Sequence, residues 1–83
     1  MADVIARRFA NLRAATVLED LRNLPGRHHE LGGKRKGQFA ADLIHPKRLI
    51  YSPDHELEVY MEGNAINWSK ITKIKIIEII DYH

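Results

Sequence analysis

At 83 residues, 45% of them hydrophobic and none of them cysteine, the chain has room for one small domain and none for disulfides, thiol nucleophiles or thiolate zinc sites. No run approaches the roughly 18 apolar residues of a membrane span and no segment reads as a signal peptide, so the expected setting is a reducing cytoplasm. The formal net charge of +2 conceals an asymmetry, with 10 Lys and Arg against 5 acidic residues up to Arg48 and 3 against 6 beyond it. A basic first half is what a polyanion-binding surface requires, and solvated helix faces would produce it equally well.

From Ala2 to about Ala14, Ile5, Phe9 and Leu12 recur at helical spacing with Arg7, Arg8 and Arg13 between them, which predicts an amphipathic helix with a basic outer face. Thr16-Val17-Leu18-Glu19 has the spacing of a capping box, Val17, Leu18 and Leu21 form a stripe, and Pro25-Gly26 stops it. These features predict a second helix and therefore a helical hairpin. Beyond Gly26 the texture changes. Gln38 to Ile44 alternates around Phe39, Ala41 and Leu43, His45-Pro46-Lys47 supplies a turn, and Arg48 to Ser52 returns as a strand. Leu57-Glu58-Val59-Tyr60 alternates too, while Gly63-Asn64 and Asn67-Trp68-Ser69 read as turn and loop. The β-branched run from Ile71 to Tyr82 is expected to be a final strand buried on both faces. Asp81-Tyr82-His83 would then stand at the rim of the sheet, with Asp81 and His83 on one face. The fold class is α+β: a helical hairpin packed on a three- or four-stranded antiparallel sheet, in one domain spanning 1–83.

The segment richest in chemistry is Arg27-His28-His29-Glu30-Leu31-Gly32-Gly33-Lys34-Arg35-Lys36-Gly37-Gln38. Its glycines let the backbone turn sharply around three consecutive cations, a loop able to bracket phosphate oxygens with lysine point charges and the planar fork of arginine. A solvated turn has the same composition. Adjacent His28 and His29 point to opposite sides of an extended chain and have no third ligand at metal spacing, so they read as structural or loop histidines, as do His45 and His55. No metal or other cofactor is expected.

Leu24-Pro25-Gly26-Arg27-His28-His29-Glu30-Leu31, Gly33-Lys34-Arg35-Lys36-Gly37-Gln38-Phe39, His45-Pro46-Lys47-Arg48-Leu49-Ile50-Tyr51 and Ile79-Ile80-Asp81-Tyr82-His83 together closely resemble the HigB branch of the RelE/ParE toxin superfamily. The resemblance extends over nearly everything from Thr16 onward, Asn67-Trp68-Ser69 included, and its most specific parts are the Gly-x-Arg-x-Gly element and the terminal Asp-Tyr-His. It implies a RelE-like fold and the toxin of a type II toxin-antitoxin system, a metal-independent endoribonuclease cutting mRNA on the ribosome and thereby inhibiting translation. It also implies a HigA-like helix-turn-helix antitoxin as partner, through which alone operator DNA would be contacted. Members commonly open with a short strand, whereas this sequence opens on a helix. The resemblance therefore implies a sheet short of that strand, or a protein that starts upstream of Met1.

Carried over by position, the candidate catalytic residues are His29, Lys36, Arg48, Asp81, Tyr82 and His83, and the candidate RNA-binding residues are Lys34, Arg35, Lys36 and Arg48. Metal-free RNA cleavage needs a base for the 2′-hydroxyl, cations for the phosphorane and an acid for the leaving oxygen; histidine, with a reference pKa of about 6.5, suits the proton transfers. Lys36 and Arg48 are assigned to the phosphate, His83 assisted by His29 to proton transfer, Tyr82 to stacking or hydroxyl orientation and Asp81 to orienting a neighbour. Which group is base and which acid stays open. Plainer alternatives stand beside these. Arg48 pairs with Asp42 across the hairpin, Tyr82 is a core aromatic, Trp68 anchors its loop, and Phe39 and Tyr51 are core. Two further alternatives for the whole protein are a non-catalytic homologue that only binds an antitoxin and a ParE-like gyrase-binding toxin.

Overall fold

The computed structural model describes residues 2–81. It is α+β: one N-terminal helix and a four-stranded antiparallel sheet in the order β1 (His29–Glu30), β2 (Phe39–Asp42), β3 (Lys47–Pro53) and β6 (Ile74–Asp81), with a separate two-stranded ribbon of β4 (Met61–Glu62) and β5 (Ala65–Ile66). Helix α1 (Ala2–Ala14) carries Asp3 in its first turn and Arg13 in its last, each sign complementing the helix dipole. Its Val4, Ile5, Phe9 and Leu12 pack against the core. No helix among the described residues is long and apolar enough to cross a membrane.

The expected second helix is reduced to a single 3-10 turn, Leu18–Leu21. The cap is also displaced. Asp20, not Glu19, turns its carboxylate back to accept from the amides of Thr16 at 3.1 Å and Val17 at 3.3 Å. Pro25 explains the truncation, because it has no N–H to give to the Leu21 carbonyl and disfavours helical geometry at Leu24. The chain tightens instead to i→i+3 bonds, Arg22 to Glu19 and Leu24 to Leu21. Leu18 and Leu21 are still buried, as the stripe predicted.

Strands β2 (Phe39–Asp42) and β3 (Lys47–Pro53) form the hairpin the alternation predicts, with Asp42 opposite Arg48 and Phe39 opposite Tyr51. A cis peptide joins His45 to Pro46 in its turn. One face presents Phe39, Ala41, Leu49 and Tyr51 to the core, where the Phe39 and Tyr51 rings stack at 5.6 Å. Trp68 meets Phe39 edge-on at 4.9 Å, lies under the Arg22 guanidinium at 4.1 Å, and donates its indole N–H to Glu30 at 2.8 Å. It is a loop anchor and a core residue together. Strand β1 (His29–Glu30) closes one edge of the sheet, pairing His29 with Ala40 and Glu30 with Phe39.

Two expectations fail in the second half. Leu57–Tyr60 is one turn of α-helix, α2, followed by strands β4 (Met61–Glu62) and β5 (Ala65–Ile66) around Gly63-Asn64. Gly63, at φ +64°, takes the left-handed position that a two-residue hairpin loop needs. The last strand, β6 (Ile74–Asp81), is not buried on both faces. Among the described residues it pairs with β3 alone, across a bulge at Ile50/Tyr51, and leaves Ile76 and Ile79 43% exposed and Ile77 39%. Helix α1 meets it near its start, where Phe9, Leu12 and Arg13 border a groove with Ile74 and Ile76. A hydrophobic strand with a bare ladder edge is a pairing and aggregation hazard.

Candidate functional site

Side chains alternate along β3, so Leu49 and Tyr51 entering the core turns Arg48 and Ile50 to the opposite face of the sheet. The loop from Leu31 to Gln38 stands over that face. It is closed by a bond from Leu31 N–H to the Gln38 carbonyl at 2.9 Å and contains the 3-10 turn Gly33–Arg35. Between loop and sheet lies a cavity of about 150 Å³, with Lys34 and Arg35 on the loop side, Arg48 and Ile50 on the β3 side, and Ile80 from β6. At about 30 Å³ per water it has room for one phosphate-sized group.

Arg48 also borders a second, wider cavity of about 340 Å³, walled by Arg27, Asp42, His45, Pro46 and Lys47. Asp42 organises this end of the sheet. Its Oδ2 accepts from Arg27 Nε at 2.7 Å, its Oδ1 lies 3.1 Å from Arg48 Nε in ion-pair contact, and its main-chain carbonyl accepts from Arg8 Nε at 2.8 Å. One carboxylate therefore offsets two guanidinium groups. The cross-hairpin pairing of Arg48 with Asp42 is present, and Arg48 lines both cavities.

Arg35 is held on the loop by Gln38 at 2.9 Å and by Glu78 of β6 at 2.8 Å. Among the described residues Lys34 has no ion-pair partner, which makes it the cation most readily given to a ligand. Lys36 is separated from this group. The backbone turns at Gly33 (φ +60°) and Gly37 (φ +92°), and Lys36 lines a different groove, on the far side of the loop, with Leu57, Tyr60 and Met61. Lys34, Arg35 and Arg48 thus share a cavity, and the expected pairing of Lys36 with Arg48 on one phosphate is not what the geometry presents.

His29 lies on the same sheet face, level with Ala40, and lines neither cavity. Its Nδ1–H donates to the Arg27 carbonyl, so Nε2 is the nitrogen presented outward. Asp81 pairs with Lys47 at 2.7 Å, and alternation from Ile80 turns it away from Arg48. Tyr82 and His83 lie outside the described residues. Sequence reasoning gave Arg27 and Lys47 no role and read His45 as a loop histidine. The signal was available, since the turn that joins two paired strands necessarily lies beside the first residues of the returning one, here Lys47 and Arg48.

The histidines divide by environment. His28 is buried, its Nδ1 2.8 Å from the Tyr51 hydroxyl and its Nε2 without a partner. Burial foremost, then the positive charges of Arg8 and His29, lower its pKa from 6.5 to about 4 against the opposing pull of Asp42. Burial likewise pushes the Tyr51 phenol above its ordinary value. His55 accepts from the amides of Thr72 at 3.1 Å and Lys73 at 3.2 Å through Nε2, a structural role in its loop as expected. Among the described residues no three His, Asp or Glu side chains gather as a metal site would need.

No protein family, curated relative or solved structure matches the chain.

Proposed function

We propose that the protein is a HigB-like toxin that cleaves mRNA on the ribosome, without a metal, and is neutralised by a helix-turn-helix antitoxin. The observation that carries this reading is the cleft of Lys34, Arg35 and Arg48 between loop and sheet, which joins three cations from the resembling motifs around a volume suited to one phosphate. Cations fixed by a scaffold stabilise charge that develops on a phosphorane, because they need no reorganisation as the reaction proceeds. His29 stands on the same sheet face and His45 on the wall of the adjoining cavity. His83 carries the proton transfer in this proposal, with Tyr82 positioning the substrate. Lys36 contacts RNA away from the scissile phosphate.

The test is primer extension on translated mRNA with and without ribosomes. Cuts only with ribosomes are expected, and deletion of His83 should lower cleavage about 100-fold, the usual contribution of a positioned proton donor or acceptor. Robust cutting of naked RNA would refute ribosome dependence. A second reading is favoured by the carboxylates themselves. Arg48 and Arg35 are each paired, with Asp42 and Glu78, as in a non-catalytic homologue that retains only antitoxin binding. Folded protein that cuts under neither condition yet captures the antitoxin would decide for it.

A further inference from the structure

On the far side of the Leu31–Gln38 loop lies the groove that takes Lys36, at about 450 Å³ larger than either cavity beside Arg48. Its volume falls in the range of small-molecule sites, and its composition matches theirs, apolar walls with a few convergent polar groups. Leu57, Tyr60, Met61 and Ile66 supply the walls, and Lys36, Asn64 and Glu30 the polar groups, the Glu30 carboxylate accepting from the Trp68 indole N–H. Leu57 is 63% exposed on a one-turn helix, so its side chain is accessible to a ligand. The approach is open. A Cβ built on Gly32 or Gly37 would meet nothing within 4 Å, so a ligand can lie directly against the loop backbone.

Leu31 and Gly32 line both this groove and the cleft of Lys34, Arg35 and Arg48. The two sites are the two sides of one short segment. A ligand spanning them must be anionic on the cleft side, flat and apolar-faced in the groove, and furnished with a second negative charge for Lys36. A nucleotide within a single strand has this constitution. Its phosphates are spaced along a backbone, its base presents two apolar faces, and the base edge offers donors and acceptors to the Asn64 amide, which has both. An acyl chain would satisfy the walls and leave Lys36 and Asn64 unused.

We infer that the Leu57–Ile66 groove receives one unstacked nucleobase of the RNA strand whose backbone phosphate lies in the Lys34–Arg35–Arg48 cleft, with Lys36 pairing the phosphate next to that base. The inference rests on the proposed function for the cleft and adds the base-binding subsite. It places Lys36 in strand positioning rather than at the reacting phosphate.

The experiment titrates the full chain at low salt with single-stranded RNA hexamers, read by fluorescence anisotropy, using the intact sequence and six versions each abasic at one position. Burial of a base against apolar side chains corresponds to a loss on the order of tenfold in affinity when it is removed. One abasic position should weaken binding by about that factor. Leu57→Glu, a change at an exposed site, should weaken the intact hexamer by a similar factor and leave that abasic hexamer unaffected. Lys34→Ala should weaken all seven alike. Equal affinities of wild type and Leu57→Glu for the intact RNA would overturn the groove inference, as would a Leu57→Glu loss that persists on every abasic hexamer. If those results accompanied a normal Lys34→Ala loss, the cleft would stand and only the groove would fall. If Lys34→Ala and Arg48→Ala both bound as wild type, the cleft itself would be refuted. Failure of wild type to bind any hexamer overturns the inference and leaves ribosome-dependent cleavage to its own assay.

Discussion

Acid should destabilise this domain through His28, by an amount the structure sets. Burial holds the imidazole pKa at about 4 in the folded chain, well below its ordinary 6.5. Below pH 6.5 the unfolded chain therefore takes up a proton that the folded chain refuses, and stability falls as pH falls until both forms are protonated near pH 4. A gap of that size corresponds to about 3 kcal/mol at 1.36 kcal/mol per unit, all of it lost between roughly pH 7 and pH 4. Against a total stability of order 5 to 10 kcal/mol that is a large fraction. Urea denaturation at half-unit steps from pH 7.5 to 4, on wild type and on His28→Leu/Tyr51→Phe, isolates the effect, because the carboxylates titrate alike in both. The double replacement removes the hydrogen bond from both ends and spares Tyr51 an orphaned hydroxyl, which alone would cost about 1 to 3 kcal/mol. The expected result is a wild-type curve that falls more steeply, the two diverging by about 3 kcal/mol over the range. Parallel curves would refute the argument, and so would a His28 imidazole that titrates near 6.5 by NMR in the folded state.

Gly26→Ala should destabilise by several kcal/mol in the same denaturation assay, because Gly26 sits at φ +110° and an added Cβ would lie 2.6 Å from Arg8 Nε. Adding Arg8→Ala should recover only the steric part of that loss, leaving the backbone strain. Ile77→Ala, on the exposed edge strand, should cost less than about 1 kcal/mol, whereas Leu49→Ala in the core should cost about 2 to 5 kcal/mol; equal losses would contradict the edge placement. Ile79→Lys should leave melting unchanged and reduce self-association in sedimentation, since a charge on an edge strand blocks strand-to-strand pairing.

The parts of this fold that were legible in its sequence are those set by neighbours in the chain. The β2–β3 hairpin follows from alternation around Phe39 and Leu49 with a Pro turn between, and the opposition of Asp42 and Arg48 follows from its register. What lies on the faces of a strand is decided elsewhere. The Ile74–Ile80 run correctly reads as a strand, but its burial depends on which elements cover it, and Ile76, Ile77 and Ile79 stay exposed. A similar limit applies between Thr16 and Pro25. The apolar stripe correctly marks Leu18 and Leu21 as buried, yet one missing N–H at Pro25 leaves too few i→i−4 bonds for an α-helix.

The candidate site shows the same division at closer range. Three consecutive cations look like one patch when read along the chain, and the resemblance assigned Lys36 and Arg48 to a single phosphate. A 3-10 turn advances about 120° per residue, and Gly33 and Gly37 bend the loop at either end of the run, so Lys34 and Arg35 face the sheet while Lys36 faces α2 and β4. Composition specifies that the loop is basic, and backbone geometry decides which cations can act on the same anion. For that reason Lys34→Ala and Arg48→Ala should impair cleavage to a similar degree and be less than additive together, as residues serving one group are. Lys36→Ala should combine additively with either of them. Measured on the primer-extension assay, additivity between Lys34→Ala and Arg48→Ala would refute the shared cleft, and strong coupling of Lys36 to Arg48 would restore the pairing that the loop geometry separates.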